Sequence, residues 1–83
     1  MKVNYLTWLH EKIGVESEQI DLPESISDVS DLIAHLENKG DNYADVFKNR
    51  HVIYVAINDE LATHDTTVQE NDNVTFFSAI AGG

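Results

Sequence analysis

Apolar positions in this chain change period along its length, and the changes divide it into elements. Val3-Asn4-Tyr5-Leu6-Thr7-Trp8-Leu9 reads as a first strand, with Val3 and Tyr5 on one side and Asn4 and Leu6 on the other. Leu9 and Ile13 are then four apart, and Gly14 suits the left-handed stop of a short helix. A second strand is expected within 15–22, where Ile20 and Leu22 alternate, and Pro23 ends it because it has no amide hydrogen for a ladder. Val29, Leu32, Ile33 and Leu36 fall at i, i+3, i+4 and i+7, the single apolar stripe of the main helix. Ser27 is its expected N-cap, Asp28 and Asp31 suit its first turn, and Lys39 closes it before Gly40.

Downstream, Tyr43, Val46 and Phe47 at helical spacing predict a short helical turn under a loop. His51–Ile57 is rich in branched and aromatic residues, and its near-continuous apolarity predicts a central strand covered on both faces. Asn58-Asp59-Glu60 is turn material and 61–64 a short returning strand. A second turn over Glu70–Asn73 offers Asn71 for a left-handed position. Val74–Phe77 is the last strand, its alternation placing Val74 and Phe76 opposite Thr75 and Phe77. The succession predicts an α+β layer fold, a mixed sheet with one main helix packed across it, in which the first and last strands could pair in parallel.

Composition narrows what such a fold does. Eighty-three residues make one domain, 1–83, with one core. A net charge of −10 argues against nucleic acid, which needs clustered Lys and Arg, and fits a partner of opposite sign. The absence of cysteine removes disulfides, thiolate catalysis and cysteine-based metal sites together. No stretch approaches the roughly 20 apolar residues of a membrane span, and Met1-Lys2 does not open a signal peptide, so a cytoplasmic location is expected. His10, His35, His51 and His64 have no close metal-ligand spacing, so no metal site is expected; the acids are better explained as turns and helix starts than as an acid–base couple. Gly14 and Gly40 belong to helix ends, and no phosphate loop is present.

Elimination leaves the end of the sequence, Ala81-Gly82-Gly83. At ordinary composition a closing glycine pair arises in roughly 0.5% of chains. Without Cβ atoms it is the thinnest stretch a chain can offer a narrow cleft. The alternative is an idle terminus. With no thiol present, covalent chemistry is centred most simply on the terminal carboxyl group. Adenylation by a separate ATP-using enzyme would let its carbon accept sulfur, as a thiocarboxylate, or an amine, as an isopeptide.

These residues resemble a known family. Lys2-Val3-Asn4-Tyr5-Leu6, Val29-Ser30-Asp31-Leu32, Val55–Leu61 and the closing Val74-Thr75-Phe76-Phe77 with Ala81-Gly82-Gly83 are similar to the MoaD-type small subunit of molybdopterin synthase. That subunit is a β-grasp, ubiquitin-like sulfur carrier related to ThiS. The resemblance implies a chain with no activity alone and no bound cofactor, whose Gly83 is adenylated with ATP by a MoeB-like enzyme. A sulfur donor protein then converts it to a thiocarboxylate. The charged tail would enter a MoaE-like large subunit, in an expected heterotetramer, and deliver sulfur to cyclic pyranopterin monophosphate. Ala81 and Gly82 would form the slim approach, and Leu6, Leu61 and Phe77 the apolar partner contacts. The chain departs from the family pattern at two places. Ser78-Ala79 stands where two prolines are usual, so a more mobile tail over 79–83 is expected. Asn71 stands where glycine is usual. The alternatives are a ThiS-like carrier for thiamine thiazole, a ubiquitin-like modifier joined to lysines, and a β-grasp interaction module with an inert end.

Overall fold

In the computed structural model, which describes residues 1–81, one sheet carries helices on a single face. Strand β1 (Lys2–Tyr5) leads into α1 (Trp8–Ile13) and β2 (Ser17–Gln19), followed by α2 (Val29–Glu37) and α3 (Asp41–Phe47). Strands β3 (Ile53–Ile57), β4 (Glu60–Ala62) and β5 (Asn73–Ser78) complete the sheet, in the order β2-β1-β5-β3-β4. The expected parallel pairing of first and last strands is present, with Val3 opposite Val74 and Tyr5 opposite Phe76. The other neighbouring pairs are antiparallel.

Alternation decides which side chains enter the core. Val3, Tyr5, Ile53, Val55, Val74 and Phe76 are buried against Leu9 and Ile13 of α1, all four stripe residues of α2, and Val46 and Phe47 of α3. Three aromatic rings meet at its centre: Phe76 lies 5.1 Å from Phe47, edge to face, and stacks on Tyr5 at 6.4 Å.

Several local expectations are corrected. The first strand stops at Tyr5, because Thr7 takes a positive φ of 58° and turns the chain into α1. The cap of α2 is Asp28, not Ser27: its carboxylate accepts the Asp31 amide at 2.8 Å, and Asp31 in return accepts the Ser27 amide and hydroxyl. The cap thus stands one residue later than expected, and the Asp31 carboxylate ties down the residue before it. The next two amides of α2, at Val29 and Ser30, find the carbonyls of Thr66 and His64 on the link from β4 to β5. Helix α2 ends at Glu37, so Lys39 lies beyond it and Gly40 precedes α3. Residues 41–47 form a full α-helix rather than a turn under a loop, because Val46 and Phe47 have the core to enter.

Strand β3 is second from the edge; the central strand is β5. Residues His51 and Val52 belong to a 3-10 turn, and only one face of β3 is covered, since Tyr54 points to solvent. Asn58 and Asp59 are left-handed, at φ 52° and 69°, in the two-residue hairpin between β3 and β4, as is Gly14, at 99°, at the end of α1. Asn71 is not among them. Its turn is closed instead by Asp72, whose carboxylate accepts the Gln69 amide at 2.7 Å.

Strand β2 carries a polar cluster on the helical face. Glu18 sits opposite Val3 and accepts hydrogen bonds from both the Tyr5 and Tyr43 hydroxyls at 2.8 Å, and Lys39 pairs with its other oxygen. Desolvation pushes the Glu18 carboxyl up, but the hydrogen bonds from Lys39, Tyr5 and Tyr43 together outweigh it and hold it below its usual range. Burial, then the bond to Glu18, pushes the Tyr5 phenol well above its ordinary 10.0. A depressed carboxyl stabilises the fold above its unfolded value near 4.5 and loses that contribution as pH falls through the folded value. The raised phenol acts oppositely, its contribution eroding as pH climbs past 10.0. Glu18→Gln is expected to cost about 1–3 kcal/mol at neutral pH and to shrink the further loss on acidification. Urea midpoints at neutral and acid pH measure this; an unchanged acid dependence would show that Glu18 does not drive it.

Candidate functional site

The sheet face away from the helices is where the candidate residues converge. β1 continues beside β5 for one more bond, the Leu6 amide donating to the Phe76 carbonyl at 3.0 Å, which places Leu6 next to Phe77. Phe77 lies opposite Tyr54 in the β5–β3 ladder, and their rings meet edge to face at 5.8 Å. Leu61 on β4 lies opposite Ala56, two residues from Tyr54. Leu6, Phe77, Tyr54, Ala56 and Leu61 therefore make one band across four strands. Leu6 and Tyr54 are each 47% exposed and Leu61 74%, too much for side chains held by this fold alone. Phe77 is half-buried by its neighbours in the band rather than by a loop.

Tyr54 was not among the residues singled out in the sequence. The signal was its place in the alternation, with Ile53 and Val55 inward and Tyr54 and Ala56 outward, but the run is apolar on both sides and hides the period. Beside Tyr54 and Leu61 lies an open cleft of about 420 Å³ whose polar wall includes Arg50 and His64. Both are already engaged. Arg50 donates to the Ser30 hydroxyl and the Glu37 carboxylate, and the His64 Nε2 sits 2.8 Å from the Ile53 carbonyl oxygen. The rest of the lining is apolar except for Thr63 and the exposed His51. Asp59 and Glu60 border the band at the hairpin, giving it an acidic rim.

The tail begins at the end of β5, beside this band. The Ala79 amide donates to the Val52 carbonyl at 2.9 Å, one step past the β5–β3 ladder. The Ile80 amide donates to the Ser78 hydroxyl at 3.1 Å, and the Ile80 carbonyl accepts the Trp8 indole N–H at 3.0 Å. Ala81 is exposed. Gly82 and Gly83, on which the expected chemistry rests, lie outside the described residues. Among the described residues no group of three His, Asp or Glu side chains is arranged to hold a metal ion, and no helix is long and apolar enough to cross a membrane.

A mixed sheet with a parallel pair of terminal strands, gripping a helix across one face, defines the β-grasp, ubiquitin-like class. The model of the ThiS family matches residues 3–83. Among solved structures, the chain is similar to a Pyrococcus furiosus protein described as a candidate molybdopterin converting factor, subunit 1. The identity is 25%, covering 95% of each chain, with a TM-score of 0.74. SAMP1 from Haloferax volcanii aligns at 20% identity over 100% of this chain and 98% of its own, with a TM-score of 0.76. A structure of H. volcanii small archaeal modifier protein 1 aligns at 18% identity over 96% and 97%, with a TM-score of 0.73. A search of the curated proteins finds no match to the sequence. The chain belongs to the ThiS family of small ubiquitin-like sulfur carriers.

Proposed function

We propose that this protein is the small, sulfur-carrying subunit of molybdopterin synthase and acts through the Gly83 carboxyl group. The observation that carries the reading is that the family match runs through residue 83, so the glycine pair is part of what is matched. The similarity to the Pyrococcus protein supports the molybdopterin branch over the thiazole branch.

The chemistry follows from the carboxylate. Hydroxide is a poor leaving group, so the carboxylate oxygen first attacks the α-phosphorus of ATP on a MoeB-like enzyme, and pyrophosphate leaves. Sulfur at the sulfide level, delivered by a sulfur donor protein, then attacks the acyl carbon, AMP leaves, and a thiocarboxylate results. In a MoaE-like large subunit that sulfur would attack a carbon of cyclic pyranopterin monophosphate and displace an oxygen from it, and water would cleave the resulting thioester, leaving sulfur on the pterin and restoring the carboxylate. The chain's own part is to present a narrow acyl end beside an apolar docking band. Its net charge of −10 speeds encounter with a basic partner. The likeness to two modifier structures makes a lysine amine the other acceptor to consider.

Leu61→Asp tests the docking band cleanly, because so exposed a side chain carries little of the fold. Its own stability is expected to change by no more than about 0.5 kcal/mol. Titration calorimetry against a MoaE-like large subunit should show binding weakened by about 2 kcal/mol or more. Unchanged affinity would move the interface elsewhere. Thiocarboxylated chain, that large subunit and cyclic pyranopterin monophosphate should together yield molybdopterin; a Gly83–lysine isopeptide in place of sulfur transfer would make the chain a modifier.

A further inference from the structure

Trp8, the only tryptophan in the sequence, opens α1, where it is partly buried against the core with the Lys12 ammonium 5.9 Å from its ring. Its indole N–H reaches across the molecule to the Ile80 carbonyl, 72 positions later. Trp8, Val46, Val52 and Ile80 line the same small hollow, so the hydrogen bond closes over an apolar contact. The turn that brings Trp8 there is strained. Thr7 holds φ 58° and ψ −138°, a region that a β-branched residue rarely enters. That turn leaves Leu6 exposed beside Phe77 and delivers Trp8, two residues on, to the tail. Of the three peptide groups between Ser78 and Ala81, the first is fastened at the Ala79 amide and the third at the Ile80 carbonyl.

We propose that Trp8 is a positioning residue for the tail: by holding the Ile80 carbonyl it fixes where the last residues leave the body for capture by the adenylating enzyme. The role rests on the carrier reading above. Its physical consequence is reach. With Ile80 held, the three residues after it extend roughly 10 Å, against roughly 14 Å for the four after Ala79 if Ile80 were released. A fastened base also leaves fewer conformations to be lost when the tail is captured, which favours binding over the chemical step.

Trp8→Phe keeps an aromatic ring in the hollow and removes only the N–H donor. With ATP–pyrophosphate exchange by a MoeB-like enzyme as the assay, the variant is expected to raise KM for the chain roughly two- to tenfold, the range one hydrogen bond supports, with kcat nearly unchanged. An unchanged KM, or a fall in kcat alone, overturns the proposal. The contact has its own readout. A lone tryptophan gives one indole N–H resonance in ¹⁵N-labelled protein, and deleting residues 80–83 should shift it and speed its exchange with solvent. An indole signal identical in full-length and truncated chains overturns the fastening, whether or not the Phe variant folds. If the wild-type chain supports no exchange at all, the carrier reading falls and the reaction role with it, while a shifted indole signal would still establish the contact.

Discussion

Deleting Gly83 is expected to abolish charging of the chain with AMP and sulfur while leaving its unfolding transition where it was. The truncated chain still ends in a glycine carboxylate, so the loss is one of position, not of functional group. Its reactive carbon is withdrawn by about 3.5 Å. A misplacement of about 1 Å can already cost on the order of a hundredfold in rate, so activity should fall by at least that factor. Among the described residues the last member of the core is Phe76, and the last hydrogen-bonded contact of the tail is at Ile80. Pyrophosphate exchange and a urea melt on the same preparation separate the two effects. Retained charging would mean that the reaction does not depend on a carboxyl group at position 83.

The largest effect on stability is expected one strand earlier. Phe76 is fully buried between Tyr5 and Phe47, and Phe76→Ala should cost about 3–5 kcal/mol. A domain of this size has roughly 0.05–0.15 kcal/mol per residue in total, so the variant should be close to unfolded at ordinary temperature. Phe77→Ala, one residue away on the open face, should lose much less stability. Denaturant midpoints of the two variants compare the two faces of β5 directly. Equal losses would contradict a sheet covered on one side.

That contrast was readable in the sequence, because a period of two forces neighbouring residues to opposite faces whatever the context. The stripe of α2 was equally legible, whereas the parallel pairing of the first and last strands was open to the sequence and settled by the register of β1 beside β5. What the sequence concealed shares a physical cause: each depended on a distant partner. His51–Ile57 looks like a central strand because Tyr54 and Ala56 are as apolar as the residues they alternate with. Their apolarity belongs to the open band rather than to a second layer. Residues 41–47 looked like a turn until Val46 and Phe47 had a core to enter. Ser27 and Asp28 are both good caps, and only the return bond from Asp31 to Ser27 decides between them.

The site was legible to a similar degree. Leu6, Leu61 and Phe77 came from family resemblance, and they lie in one band on the open face. Tyr54 joins them through the strand register alone. No pattern pointed to Trp8, since its partner is a backbone carbonyl, and backbone atoms leave no trace in a sequence. The exit of the tail was expected to be loose where serine and alanine replace prolines, yet the Ser78 hydroxyl and the Ala79 amide each make a hydrogen bond there. Stiffness that a proline ring would supply covalently is available from such bonds, with the difference that they can open.

The central claim is that the carboxyl group of Gly83 carries sulfur. Its most direct test is mass spectrometry of the C-terminal peptide from protein isolated from cells making molybdenum cofactor. The account predicts a fraction of that peptide heavier by one sulfur in place of one oxygen, reverting to the carboxylate on hydrolysis. A C-terminal peptide that carries only the carboxylate under every such growth condition would contradict it.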